Sequence, residues 1–207
     1  ERWMIKAGLI DPKAFGAVTT KTLTLEPRTG NYINPFEFEK SPLLAHLYHA
    51  CILGKTHINK LVRRAPNGWL NQVGLWNVGI DYWIKEIYPQ VNELPLIVSI
   101  SGLEWGEYEE LIERLNHLKI LAIELNVSCP NVRRPFFLGQ TLFTSCKRRS
   151  EHPLIIKVGV DREAISIALE AKKSGINAVS AINSIPLLGQ GWSGGGIKPF
   201  ALEMVAN

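Results

Sequence analysis

The sequence predicts an α/β protein whose strands and helices alternate as in a (β/α) barrel. Three observations carry that reading. Short apolar, β-branched runs recur every ~25–35 residues with helical stretches between them, the pattern of right-handed βαβ crossovers and a parallel sheet. The helical stretches are amphipathic. Polar side chains stand at the C-terminal end of one run after another, which is how a barrel builds its active face.

Taken in order, a strand over 16-GAVTT-20 is followed by Lys21. The run 96-LIVSI-100 follows Pro95 and has the continuous apolar character of a buried parallel strand. In 106-GEYEELIERLNHL-118, Tyr108, Leu111, Ile112 and Leu115 recur at i, i+3, i+4 and i+7, one face of a helix. A strand over 120-ILAIEL-125 leads into 126-NVSCPN-131. The next strand, 154-LIIKV-158, precedes Asp161, a suitable N-cap. The helix behind it carries Ala164, Ile167, Ala168 and Ala171 on one stripe and ends before Gly175. A strand over 177-NAVSAI-182, a Gly-rich loop and a helix from Pro199 complete the series. No G-x-G-x-x-G follows a first strand, which favours a barrel over an open dinucleotide-binding sheet.

Composition narrows the functional class. Of 207 residues, 46% are hydrophobic and 20% charged, ordinary for a globular chain with a real core. No run approaches the ~18 apolar residues of a membrane span, and 1-ERWMIKAGLIDPK-13 has no signal-peptide h-region. The three cysteines, Cys51, Cys129 and Cys146, are odd in number and show no C-x-x-C spacing. They indicate neither a disulfide framework nor a zinc site, and favour a reducing, cytoplasmic setting. The net charge of +4 is modest, and 147-KRR-149 lacks interleaved aromatics, so a solvated helix end is expected rather than a nucleic-acid surface. The stretch 32–60 breaks the strand–helix rhythm and reads as an insertion with a short helix over 42–52. His46 and His49 lie there without a nearby third ligand, so packing histidines are expected rather than a metal site.

Cys129 stands out because it sits in a polar, proline-broken loop, not in an apolar run where packing cysteines reside. It also anchors a resemblance. The pieces 20-TKTLTLEPRTGN-31, 67-NGWLNQVGLWNVGID-81, 123-IELNVSCPNV-132, 154-LIIKV-158, 181-AINS-184 and 193-SGGGIKPFAL-202 together resemble the dihydroorotate dehydrogenase family of FMN-dependent (β/α)8 TIM barrels, in the family's order. Cysteine at 129 is similar to the class 1 enzymes, and EPRTGN to the subgroup that passes electrons to NAD through a flavin/iron–sulfur subunit.

The resemblance implies oxidation of (S)-dihydroorotate to orotate, with Cys129 as general base and hydride transfer to FMN. It implies substrate contacts from Lys21, the turn Asn71, Gln72, Val73, Gly74 and Leu75, and from Asn126, Asn131, Asn183 and Ser184. It implies cofactor contacts from Lys21, Thr22, Ser99, Asn126, Lys157, Ile182 and Gly194. A homodimer and the electron-transfer subunit are the partners it suggests, and no metal, nucleic acid or membrane is expected. Measured against the family, the chain reads as a single incomplete barrel domain over 1–207, lacking the first strand and the last two. Two other readings stay open: a flavoenzyme domain resembling dihydropyrimidine dehydrogenase, and a non-catalytic barrel remnant.

Overall fold

The computed structural model of the chain describes residues 11, 14–31, 61–104, 106–129, 139–160 and 163–206. Its main sheet has five parallel strands: β1 (Val18–Thr19), β4 (Leu96–Ile100), β5 (Ala122–Asn126), β6 (Leu154–Val158) and β7 (Ala178–Ala181). Their spatial order equals their chain order and never reverses. A doubly wound sheet reverses at a switch point; this sheet advances in one direction, as part of a barrel does. The barrel reading is therefore borne out as an α/β half-barrel. The stretch 32–60, with its expected helix and His46 and His49, lies outside the described residues, as does the expected cap Asp161.

The helices follow the strands. Ile80–Tyr82 (α1) continues through a π-helical turn, Trp83–Ile87, into a 3-10 turn, Tyr88–Gln90. Then come α2 (Glu107–Leu115), α3 (Gln140–Arg149), α4 (Ala164–Lys173) and α5 (Lys198–Ala206). Helix α2 begins after Gly106 in the left-handed region, has Glu107, Glu109 and Glu110 in its first turn and Arg114 in its last, and so complements its own dipole. Its predicted face, Tyr108, Leu111, Ile112 and Leu115, is entirely buried. On α3, Lys147, Arg148 and Arg149 occupy the last turn, where cations meet the carbonyl end of the dipole. Arg149 pairs with Glu113.

Strand pairing sorts side chains onto two faces. Ser99 lies beside Glu124, and Asn126 beside Lys157. With a period of two, Val98, Ile100, Ile123, Leu125, Leu154, Ile156 and Val158 point to the opposite face. Those seven are 0–1% exposed and join Phe143, Cys146 and the α2 stripe in one core. One face of the sheet is thus a dry layer against helices. The other carries polar groups near the C-terminal strand ends.

A second sheet was not foreseen. β2 (Val62–Ala65), β3 (Gly68–Asn71), β9 (Gln190–Ser193) and β8 (Ile185–Leu187) pair antiparallel in that spatial order. The Gly-rich loop expected between residue 182 and Pro199 begins with a hairpin, β8 and β9. Its two turn residues, Leu188 and Gly189, both have positive φ, the geometry of the twisted hairpin turn that asparagine and glycine normally supply. Leucine in that position hid the hairpin. Gly194 (φ 106) follows β9 against the β2–β3 turn, where an added Cβ would come within 2.7 Å of the Gly68 Cα.

Candidate functional site

The polar face of the parallel sheet gathers residues from five segments at the strand ends. After β1 the chain places Lys21 and Thr22; β4 supplies Ser99, β5 supplies Glu124 and Asn126, and β6 supplies Lys157. Asn183 follows β7, and its backbone N–H donates to the Val158 carbonyl at 2.9 Å.

All of these side chains but Lys21 join one series of hydrogen bonds that ends in an ion pair. Asn183 Nδ2 donates to Asn126 Oδ1 at 3.0 Å. Asn126 Nδ2 donates to Thr22 Oγ1 at 2.9 Å. Thr22 Oγ1 and Ser99 Oγ are 2.9 Å apart, and Ser99 Oγ donates to Glu124 Oε1 at 2.8 Å. The Lys157 ammonium stands 3.6 Å from the same carboxylate oxygen. Ser99, Glu124 and Asn126 are buried. Buried polar groups are stable only when partnered, and here each one has a partner.

The backbone is fixed with similar care. The Asn126 carbonyl accepts from Tyr108 Oη at 3.0 Å and from Ser101 Oγ at 3.3 Å, tying the end of β5 to α2. Gly102 is required for that approach, since a Cβ there would meet the Tyr108 ring at 2.7 Å. Beyond β5, Ser128 Oγ donates to the Lys157 carbonyl at 2.8 Å and accepts from Asn183 Nδ2 at 3.3 Å. Cys129 is therefore carried on a loop stitched to the end of β6. It is half-buried and outside any disulfide.

Lys21 interacts electrostatically with Cys129. Lys21 is exposed by surface area, yet enough protein crowds its ammonium to hold its pKa below the ordinary lysine value. Desolvation is the larger cause, and attraction to the Cys129 thiolate opposes it. Because water reaches the side chain, the depression is a sign of crowding and not of a dry cation. Cys146 contrasts with this: it is fully buried on α3, and desolvation, with Glu109 adding to it, pushes its thiol up to about 12.

The remaining expected positions divide. Asn71 lies on β3 and donates Nδ2 to the Gly191 carbonyl at 3.1 Å. The Gln72 N–H bonds the Leu61 carbonyl at 2.8 Å, and the carbonyls of Gln72 and Val73 accept from Asn31. Gly74 and Leu75 have positive φ, completing a sharp turn there. Ser184 N–H bonds Asn183 Oδ1 at 2.9 Å, holding that amide in place. Ile182 and Ser184 are half-buried after β7. Gly194 belongs by its contacts to the antiparallel sheet. Asn131 lies outside the described residues. Among the described residues, no group of three or more His, Cys, Asp or Glu could hold a metal ion.

Two residues were missed by the sequence reading. Glu124 is the lone charge in the run 120–125, an anomaly in a strand buried on both faces. Asn77 is 2% exposed and clips 75–79 onto Thr24. Its Oδ1 accepts from the N–H groups of Thr24 (3.2 Å) and Gly79 (2.9 Å), and its Nδ2 donates to Thr24 Oγ1 and the Leu75 carbonyl. Beside that clip, a cavity of about 770 Å³ is lined by Lys21, Trp76, Asn77 and Trp83, among others.

Comparison with known proteins bears on this arrangement. The profile of the family described as dihydroorotate dehydrogenase matches residues 59–207. The chain is similar to proteins named dihydroorotate dehydrogenase B (NAD(+)), catalytic subunit. It is 34% identical to that of Bacteroides thetaiotaomicron, over 95% of this chain and 64% of the relative. It is 30% identical to that of Endomicrobium trichonymphae, over 96% of this chain and 64% of the relative. For Pelobacter propionicus the identity is 32%, over 96% and 65% respectively. The chain thus spans about 64% of the length of the curated relatives it matches.

Proposed function

Because the chain belongs to the dihydroorotate dehydrogenase family, an oxidoreductase family, we propose that it carries the substrate-binding and flavin-contacting part of an enzyme that oxidises (S)-dihydroorotate to orotate with FMN, in de novo pyrimidine synthesis. The observation that supports this most is the convergence of Cys129, Lys21, Asn126, Asn183 and Lys157 on one mouth of the parallel sheet.

The chemistry needs a base and an acceptor. A proton leaves one ring carbon of the substrate and a hydride leaves its neighbour, creating the ring double bond. FMN, when bound, supplies the hydride acceptor. The donor set fits such a group: two lysines and two asparagine amides suit the carbonyl-rich edges of a flavin and an anionic pyrimidine. Cys129, as thiolate, takes the proton. The nearby Lys21 ammonium balances its charge, and a thiolate beside a cation is the usual form of a reactive cysteine. The amides of Asn126 and Asn183 orient the pyrimidine. Lys157 offers a positive charge to the flavin's electron-accepting edge, where pre-set charge lowers the barrier most.

The other assignments are narrower. Thr22 and Ser99 would contact the cofactor, and they also hold Asn126, Thr22 directly and Ser99 through Thr22. Ile182 and Ser184 flank the cofactor, and Asn131 completes the substrate's amide set. The turn Asn71–Leu75 would border the substrate carboxylate, and Gly194 would approach the cofactor phosphate when the cofactor is bound. In the same reading, electrons leave for NAD through a partner electron-transfer subunit, in keeping with the relatives' description as catalytic subunits of an NAD(+) enzyme. No described helix is long and apolar enough to cross a membrane.

The test is anaerobic. The chain is titrated with FMN, followed by flavin fluorescence, and dihydroorotate is then added while flavin absorbance is recorded. Bleaching by dihydroorotate supports the proposal. Bleaching by dihydrouracil and not by dihydroorotate would favour the dihydropyrimidine dehydrogenase-like reading instead.

A further inference from the structure

We propose that Glu124 is the positioning residue of this site: its carboxylate fixes the hydroxyls of Ser99 and Thr22 and through them the way the side-chain amide of Asn126 faces, and it holds the Lys157 ammonium at the mouth. The inference deepens the proposed function, since that reading supplies the ligands that use those groups.

The hydroxyl and amide hydrogens fix the order of the series. A carboxylate only accepts, so Ser99 must spend its single hydroxyl hydrogen on Glu124. At the 2.9 Å contact with Thr22, Ser99 can then only accept, and Thr22 must donate. With its own hydrogen committed, Thr22 Oγ1 can only accept from Asn126, which must turn its NH2 toward Thr22. That leaves Asn126 Oδ1 as the acceptor for the Asn183 NH2. One acceptor-only group at the buried end thereby sets every donor and acceptor as far as Asn126, and the Ser184 N–H, a donor only, sets the matching sense at Asn183. Glu124 is 5% exposed, so water is poorly placed to substitute for it. The same oxygen faces Lys157 at 3.6 Å, and one charge thus serves two functions. No part of this chain of bonds requires Glu124 to touch a ligand.

The experiment measures solvent exchange of the Asn126 and Asn183 side-chain amide hydrogens by NMR, in the 207-residue chain and in the variants E124L, E124Q and S99A. Melting curves establish which variants are folded, and orotate binding is titrated alongside. In E124L the Asn126 amide is expected to exchange about tenfold faster than in wild type, the scale of one lost hydrogen bond, while the Asn183 amide, held also by Ser184 and Ser128, changes less. E124Q keeps a carbonyl oxygen able to accept from Ser99 and is expected to retain the protection. If E124L does not fold, S99A decides: it cuts the series in the middle, leaves Lys157 and Glu124 together, and is expected to lose the same protection. Folded E124L and S99A with Asn126 amide exchange within about twofold of wild type would overturn the proposal. So would E124Q as unprotected as E124L. Absence of orotate binding by the wild-type chain would count against the proposed function and leave the amide exchange to judge Glu124.

Discussion

The side-chain amide of Asn183 donates to the side-chain oxygen of Asn126 at 3.0 Å, joining the ends of β7 and β5 past β6. The two residues are 57 positions apart in sequence, so only the parallel sheet brings them together. Their pairing joins donors and acceptors from two strands into one polar surface, and Ser128 fastens the cysteine loop to the same amide.

Asn183→Ala removes one side of that surface and leaves Asn126 Oδ1 without its Asn183 donor. Orotate affinity is expected to fall about tenfold, because one hydrogen bond to an anionic ligand, worth ~1.5 kcal/mol, is lost. Equilibrium titration of orotate checks this. A melting temperature close to that of wild type would place the loss in the site and not in the fold.

Thiol reactivity separates the cysteines. Cys129 lies half-buried beside Lys21, whereas Cys146 is fully buried with its thiol pushed up to about 12. The thiolate is the reactive form. Limited alkylation at neutral pH, with sites assigned by peptide mass spectrometry, is expected to label Cys129 well before Cys146. Lys21→Met is expected to slow labelling of Cys129 and to leave Cys146 unchanged.

Cys146 also sets a pH dependence of stability. Its ordinary value is 9.0, and burial raises it to about 12 in the fold. Below pH 9 the thiol is neutral in both states, so its contribution is fully present. Between pH 9 and 12 the unfolded chain releases the proton and the folded chain does not, so stability falls with rising pH. Three units correspond to about 4 kcal/mol at most. Urea unfolding at pH 8 and pH 10.5 is expected to show a steeper alkaline loss in wild type than in Cys146→Ala.

Much of the fold was legible because its signals are local. The α2 stripe and the runs 96–100 and 154–158 announce themselves by periodicity, and all three elements lie where expected. The antiparallel sheet was not legible. Its pairing of Trp69 with Ser193 joins residues 124 apart, and Leu188 occupies a turn position that sequence rules reserve for asparagine or glycine. In the site, Cys129, Lys21 and the asparagines were recognisable by type and resemblance. Glu124 was not singled out because its meaning depends on Ser99 and Lys157 on neighbouring strands, and strand register cannot be read from one strand.

Asn77 makes a strong stability prediction. It satisfies two backbone N–H groups and one carbonyl where 75–79 crosses Thr24. Asn77→Ala leaves those buried groups unpaired and is expected to cost about 2–3 kcal/mol. Urea unfolding followed by tryptophan fluorescence measures it, and a cost below ~0.5 kcal/mol would mean water replaces the side chain.

The central claim is that Cys129 is the base that takes the substrate's proton. The most direct measurement is the anaerobic rate of flavin reduction by dihydroorotate in wild type and Cys129→Ala. It is made in the 207-residue chain and in the same chain extended with the part of a relative that it does not match. A missing general base slows the step ~10²–10⁴-fold, while orotate binding through the asparagine amides persists. Wild type is expected to bleach the flavin at least ~100-fold faster than Cys129→Ala at equal orotate affinity. Equal rates of flavin reduction in the two proteins would contradict the account.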